Sequence, residues 1–562
     1  MAGRLIVLAL FFFAQCPLTA PQQRGPLFKD VAEQSGLKFQ HYNGMTGKFY
    51  LPEIMGSGAA LFDFDNDGDL DVFLVQGNIL EPNTFPRSTL FPWRGSEPPR
   101  GRLFRNDLSK AGVSFTDVTQ QSGIVATGYG MGVAVGDINN DGLPDLYLSN
   151  LGSNQMYLNQ GQGKFVDITK ESGTGDSHWT TSASFFDYDR DGWLDLMVVN
   201  YADFSVANNP ACYAATTARD YCTPRVFRAP GNRLFHNKGN GTFEDVSAAA
   251  GVDKEFGHGL GIVTADFNND GWIDIYVAND GDPNQLWINQ KNGTFVNDAL
   301  LAGCAVNRNG QAEAGMGVAA GDFDGNGTED IFVTHLMEET HTLYVNLGQG
   351  LFEDRTRENG LAMPGRRFTG FGTSFFDYDN DGRLDLLVVN GAVQLLPQKH
   401  PFPLGQPSQL FRNVGKGSFV EVDAGPEFAL SEVSRGAAFG DVDNDGDTDV
   451  LVTNNNGWAR LFLNQVGNRN HWLGLRLVGK TGRDMLGAQV EIVIGENNVL
   501  WRRVRTDGSY LSASDARVLV GLGAATRVKA VRVRWPDGTT EEWKDLLVDR
   551  YIVLKQGKQG RL

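Results

Sequence analysis

Asp63-Phe-Asp-Asn-Asp-Gly-Asp-Leu-Asp71 is the stretch on which the reading of this chain turns. Its pattern, Asp-x-(Asp/Asn)-x-(Asp/Asn)-Gly-x-x-Asp, recurs seven times, beginning at Asp63, Asp137, Asp187, Asp266, Asp322, Asp377 and Asp441. Gly/Ala-rich runs precede the copies, as in Gly130-Met-Gly-Val-Ala-Val-Gly136, and short alternating apolar runs follow, as in Ile275-Tyr-Val-Ala-Asn279. Next come Leu-aromatic-x-Asn (Leu103-Phe-Arg-Asn106, Leu234-Phe-His-Asn237, Leu286-Trp-Ile-Asn289), a Gly turn and then Phe-x-Asp-Val or a relative of it. Alternation over four to six residues reads as strand, so each unit predicts about four short strands and no helix. Seven such units predict an all-β chain built on a seven-bladed β-propeller, with a linear β-solenoid as the alternative. The ends fit a ring. Phe28-Lys-Asp-Val31 is the latter half of a unit, and Leu461-Phe-Leu-Asn464 is the matching first half. Pairing the two would leave no open sheet edge.

Within each copy, oxygen-bearing side chains fall at positions 1, 3, 5 and 9, with Gly at 6. This is a shortened relative of the EF-hand loop opening, in which alternate residues of a tight loop point at one hard cation. The candidate ligands are Asp63, Asp65, Asp67 and Asp71; Asp137, Asn139, Asp141 and Asp145; Asp187, Asp189, Asp191 and Asp195; Asp266, Asn268, Asp270 and Asp274; Asp322, Asp324, Asn326 and Asp330; Asp377, Asp379, Asp381 and Asp385; Asp441, Asp443, Asp445 and Asp449. Position 7 would add a main-chain carbonyl, and Gly at position 6 would supply a positive φ. The cofactor expected is Ca²⁺, up to seven ions. The competing reading is a set of Asx-rich turns without metal. Charge agrees with metal: the 562-residue chain carries 67 acidic and 49 basic side chains, and seven divalent ions would bring its formal charge from −18 to −4. That acidity argues against nucleic acid as a partner, because a phosphate backbone needs a basic footprint.

The N-terminus reads as an export signal over residues 1–22, with a basic start, an apolar run over 5–14 and no clear cleavage site. A lipoprotein-type box at Cys16 and a plain N-terminal anchor are the alternatives. No other apolar run is long enough to span a bilayer. An exported chain permits Cys212 and Cys222, ten residues apart, to form a disulfide. Cys304 reads as a small buried apolar residue.

From Arg469 onward the charge reverses, with 17 basic and 10 acidic residues. Leu473, Leu475 and Leu477, then Val490, Ile492 and Ile494, then Val531, Val533 and Trp535 alternate strongly. These runs predict a small β-sandwich-like domain over 469–558, after a propeller over 28–467. Arg502, Arg503 and Arg505 would meet an acidic ligand, form a solvated face or dock the tail onto the acidic repeats.

The repeats resemble the FG-GAP/VCBS class of integrin α-chain propellers and many bacterial secreted proteins. The tail resembles the ASPIC/UnbV domain through Asn470-His-Trp-Leu473, Leu486-Gly-Ala-Gln-Val490, Gly508-Ser-Tyr-Leu511, Val520-Gly-Leu-Gly523 and Trp535-Pro-Asp-Gly538. The resemblance implies a secreted, Ca²⁺-binding seven-bladed propeller followed by a small β-domain. Val520 departs from a His-Phe-like pair expected there.

Three units carry long insertions between the strand after the motif and Leu-aromatic-x-Asn, at 79–101, 201–232 and 391–409. Insertions at one repeat position fall on one face, often the binding face. They hold Phe85, Phe91, Trp93, Phe204, Tyr213, Tyr221 and Phe402 beside several Arg. Such residues suit protein or glycan recognition, and they equally suit packing of long loops on each other. No His-Glu-x-x-His or Gly-x-Ser-x-Gly motif occurs, and the Gly-x-Gly pieces lack a βαβ context. The expected function is therefore a secreted calcium-binding scaffold for an extracellular protein or glycan, not an enzyme. The alternative is a glycosidase or polysaccharide lyase using the insertion face, which would need a catalytic pair outside the seven motifs.

Overall fold

The computed structural model describes residues 25–214, 217–393, 404–496 and 498–558. The signal-like segment 1–22, with Cys16, and Phe402 lie outside them. Among the described residues, seven four-stranded antiparallel sheets follow one topology. Blade 1 is Ala59–Phe62, Asp71–Leu74, Arg102–Asn106 and Phe115–Asp117. The first strands of blades 2 to 6 are Tyr129–Gly136, Thr180–Phe186, Gly259–Ala265, Val318–Gly321 and Gly370–Phe376. Blade 7 runs Ser434–Gly440, Asp449–Asn454 and Arg460–Asn464, and takes its fourth strand from the start of the chain, Phe28–Asp30. There Phe28 pairs with Asn464 and Asp30 with Phe462, so the ring closes through the two half-units. The first strand of each blade touches that of the next, and blade 7 touches blade 1. The chain is therefore an all-β propeller.

Each motif loop joins the first strand to the second, and the second strand begins at the motif's ninth residue, as Asp71 and Asp145 do. The insertions join second to third strands, and their described residues lie on the opposite face. One feature differs from the expectation of no helix. After the outer strand, Thr119–Ser122, Thr169–Ser172, Ser247–Ala250 and Ala299–Ala302 each form one helical turn, ended by a glycine with positive φ. A single turn carries too little periodicity to read from sequence.

The tail forms two sheets. His471–Val478 lies between Val518–Gly523 and Tyr551–Lys555; the other sheet runs Asn498–Arg503, Gln489–Gly495, Arg527–Arg534, Thr540–Leu547. Leu473, Leu475, Leu477, Val490, Ile492, Val531, Val533 and Trp535 are buried together, as the alternation implies.

Between the two sheets, residues 505–515 leave the tail and run along the propeller axis. Ser509 exchanges main-chain hydrogen bonds with Val318 of blade 5, and Ala513 donates to Ala59 of blade 1. Val133 of blade 2 donates to Leu511. Asp507 accepts from Ser184 of blade 3 and from the main chain and hydroxyl of Thr264 of blade 4. The Ser509 hydroxyl accepts from Thr373 of blade 6 and donates to Ala437 of blade 7. All seven blades thus hold one segment. The Gly-rich inner strands make room for it: a Cβ on Gly58 would stand 1.7 Å from the Leu511 carbonyl oxygen. Tyr510, fully buried, reaches through to the insertion side, where its hydroxyl donates to Met55 and its ring meets Phe371 edge-on at 4.8 Å.

Candidate metal sites on the tail-facing loops

The motif loop is built by its own carboxylates. In blade 1, Asp63 accepts from the N–H groups of Asp67 and Gly68, and Asp67 accepts from Asp69. Gly68 has φ 94° and Asn66, at position 4, φ 60°. Position 4 is left-handed in the other loops too, filled by Asn140, Arg190, Asn269, Gly325, Asn380 and Asn444. Asn tolerates that conformation better than most residues. The ninth residue is a hub: Asp71 accepts from Phe64 N–H at 3.0 Å and from Asn106 N–H at 2.8 Å.

That Asn belongs to the Leu-aromatic-x-Asn motif, whose role the sequence reading left unassigned. Its side-chain amide reaches the preceding blade. Asn159 donates to Phe64, Asn237 to Ile138, Asn289 to Tyr188, Asn346 to Phe267, Asn413 to Phe323 and Asn464 to Tyr378, always to the carbonyl of the second motif residue. A second ring runs forward. Asn66 donates to the carbonyl of Gly142, Asn140 to Gly192, Asn269 to Gly327, Asn380 to Gly446 and Asn444 to Gly68, and Arg190 to Gly271. Blade 5 has Gly325 at this position and no side chain to offer. The carbonyl it would have reached, on Gly382, instead receives Arg502 of the tail at 3.2 Å.

The tail covers this loop face. Arg476 donates to Asn66, Arg483 to Gly192 and Arg517 to Asp441 through its carbonyl; Arg534 lies 3.5 Å from Asp266, and the Tyr551 hydroxyl donates to the Asp441 carboxylate at 2.7 Å. Arg503 pairs with Glu329 at 2.9 Å, and Arg505 donates to Ser374. Of the readings of these arginines, acidic ligand, solvated face or docking, contact with the repeats is the one found.

The sequence-derived ligands come together loop by loop, but unequally. Asp63, Asp65 and Asp71 present oxygens within 4.8 Å of one another, as do Asp187, Asp189 and Asp195; Asp322, Asp324 and Asp330; and Asp377, Asp379 and Asp385. One oxygen each of Asp65, Asp187, Asp379, Asp443 and Asp447 is buried without a hydrogen-bond partner. Buried acceptors left unpaired are costly unless a cation meets them. Burial pushes the carboxyls up: Asp63, Asp137, Asp266, Asp322 and Asp441 to about 6, Asp187 and Asp377 to about 7 and Asp71 to about 9. These donor sets are hard oxygens and fit a Ca²⁺-type ion, with cationic side chains already beside Asp266, Asp270, Asp379 and Asp381. In blades 2 and 4 the amides of Asn139 and Asn268 donate to Asp141 and Asp270 at 2.9 and 3.0 Å. In blade 6, Arg412 stands 2.7 Å from Asp379 and 3.3 Å from Asp381.

Comparison with known families agrees with this architecture. The FG-GAP-like repeat family matches residues 137–198, 226–277, 266–333 and 405–452, and the ASPIC and UnbV family matches 479–561. The chain thus carries FG-GAP-like repeats followed by a region that matches the ASPIC and UnbV family. It is 24% identical to cartilage acidic protein 1 of Xenopus tropicalis over 556 residues, covering 95% of this chain and 77% of that protein. The human protein of that name is 24% identical over 508 residues, covering 87% of this chain and 70% of the relative. Similar solved structures include the BP39L lectin of Burkholderia pseudomallei, at 10% identity and TM-score 0.40, covering 73% of this chain and 96% of that one. Another is an Agrocybe aegerita lectin that recognises non-reducing terminal N-acetylglucosamine, at 16% identity and TM-score 0.35, covering 63% and 82%.

On the insertion face, Cys212 and Cys222 are bridged, with Cα atoms 5.2 Å apart. Cys304 is buried and free. A cavity of about 350 Å³ opens there, lined by Leu51, Tyr201, Tyr221, Arg225, Asp280 and Glu339 among others. Tyr201 donates to Asp280 at 2.6 Å, and burial raises that carboxyl to about 6.

Proposed function

We propose that this protein is a secreted, calcium-stabilised scaffold that binds an extracellular protein or glycan on its insertion face. In this reading residues 28–467 are the propeller, 469–558 the tail module and 1–22 an export signal. One observation carries it: the tail occupies the axis and the loop face, so the insertion face is the broad surface left to a partner. Phe85 is 75% exposed and Tyr213 64%, both on that face. Exposed aromatic side chains on a framework of fixed strands suit recognition. Ca²⁺ in the loops would serve to hold blade to blade, with no chemistry of its own. The test is a glycan array and an extracellular-protein array, probed with the full chain and with Phe85→Ala/Tyr213→Ala. Binding lost in the double variant at unchanged melting temperature supports the reading; equal binding by both overturns the choice of face.

The alternative, a carbohydrate-active enzyme, is supported by one observation of its own. Asp280 and Glu339 line one insertion-face cavity and lie outside the seven motifs. Glycan cleavage abolished by Asp280→Asn and by Glu339→Gln would favour it; no cleavage across a glycan panel would dismiss it.

A further inference from the structure

The loop of blade 3 has an imidazole beside its carboxylates, a nitrogen able to ligate, where the cations beside the loops of blades 4 and 6 are lysine and arginine. The third residue of Leu-aromatic-x-Asn is Arg105, Leu158, Ile288, Val345, Arg412 and Leu463 in the other blades; in blade 3 it is His236. Its Nδ1 lies 3.1 Å from Asp195 and 3.4 Å from Asp189. Asp189, Asp191 and His236 present ligand atoms within 4.8 Å of one another, and so do Asp187, Asp189 and Asp195. Other histidines here pair with one carboxylate each: His178 with Asp176, His258 with Asp282, His471 with Asp549.

The loop differs in a second way. In the other six loops one oxygen of the first Asp accepts from the N–H at position 5, as Asp137 does from Asp141 and Asp377 from Asp381. In blade 3 that bond is missing, and Asp187 Oδ1 is left without a partner although Asp187 is only 6% exposed. The result is a buried, unsatisfied oxygen on Asp187, a member of the carboxylate cluster that an imidazole also borders.

We propose that the blade 3 loop is a separate metal site, selective for a first-row divalent ion that accepts imidazole, Zn²⁺ above all, with His236 Nδ1 as the ligand that distinguishes it. Imidazole suits such ions, whereas Ca²⁺ takes oxygen ligands. Binding releases any proton on Nδ1 and gives the orphaned Asp187 oxygen a cation to face. Blade 6 marks the contrast. Arg412 stands at the corresponding place and can neutralise but not ligate. The proposal rests on reading the loops as cation sites and adds that one of them takes a different cation.

The experiment uses the full chain without a polyhistidine tag, equilibrated with Zn²⁺ in the presence of ~1 mM Ca²⁺, a level that fills extracellular-type calcium sites. Bound zinc and calcium are measured separately by elemental analysis, and Co²⁺ is substituted to read nitrogen ligation from its visible absorption. One zinc per chain is expected, its affinity falling ~10-fold or more in His236→Leu, at least what losing an outer partner of a ligand costs. His236→Leu copies the residue of blades 2 and 7, and His236→Gln provides a second variant if the first folds poorly. Zinc held equally by the parent and both variants, or no zinc held against calcium, overturns the proposal. Failure of the broader calcium reading has another signature: no calcium bound and no change in melting on chelation, whatever the zinc does.

Discussion

Asn106 donates its side-chain amide to the main-chain carbonyl of Val442 at 3.0 Å, across 336 residues of sequence. This bond is the blade 1 to blade 7 member of the ring that every Leu-aromatic-x-Asn motif makes with the loop before it. The same Asn uses its N–H on the ninth motif residue, Asp71. One side chain therefore ties its own loop to its neighbour's. Replacing Asn237 by Ala strands the carbonyls of Ile138 and Leu194, which it now serves at 2.9 and 3.0 Å. A loss of about 1–3 kcal/mol is expected for buried acceptors left unsatisfied. Urea unfolding checks it, and a variant as stable as the parent would refute the stapling role.

Chelation is expected to lower the melting temperature in one large step, reversed by ~1 mM Ca²⁺. Each site filled at a hundred times its dissociation constant adds about 2.7 kcal/mol to the folded state. Calorimetry with and without EDTA measures this. Coincident curves would mean that the Asp loops are turns.

Blade 6 holds an internal competitor. Arg412→Leu removes the guanidinium from Asp379 and Asp381 and copies the residue found in blades 2 and 7. The blade 6 site should tighten roughly tenfold, about 1.4 kcal/mol. Calcium titration of the two proteins decides it; weaker binding in the variant would show that Arg412 supports the loop.

The axial segment couples tail to ring. Tyr510→Ala empties a fully buried site among Met55, Tyr201 and Phe371 and should cost about 3–5 kcal/mol, the range for large aromatic truncations. Because residues 505–515 bond to all seven blades, tail and propeller should melt in one transition. Far-UV circular dichroism and tryptophan fluorescence would follow it, and two separated transitions would contradict the coupling.

Glu53 gives a pH signature away from the loops. It is 1% exposed, accepts from the Tyr221 hydroxyl at 3.2 Å, and burial raises its carboxyl to about 7. The unfolded chain ionises near 4.5, so between 4.5 and 7 the folded state holds a proton that the unfolded state has lost. Stability therefore falls as pH rises through that window, by up to about 3 kcal/mol, and is flat above it. Glu53→Gln should match the parent below pH 4.5 and exceed it above pH 7. A constant difference across both ends of the range would rule this out.

Much of the fold was legible because it is local and repeated. The strand alternation, the Asp loops and the half-units at Phe28 and Leu461 are short patterns whose spacing fixes which faces pair. The site was partly legible for the same reason: alternate oxygen-bearing residues in a nine-residue loop gather whatever surrounds them. The role of Asn106 and its counterparts was visible as a repeated letter, but its partner is a carbonyl on another blade, and carbonyls leave no mark in sequence. Part of the difference between loops was hidden outside the motif, in the variable position where His236 and Arg412 stand.

The sequence by itself determined seven like units with an acidic loop in each, because each unit repeats one short local pattern; the structure closes them through the pairing of Phe28 with Asn464. The tertiary structure alone decided that the tail threads the ring. Gly508-Ser-Tyr-Leu511 has no periodicity to read, with positive φ at Gly508, Ser509 and Leu511. Its partners are single main-chain groups scattered from Met55 to Ala437, which meet only once the blades surround one axis.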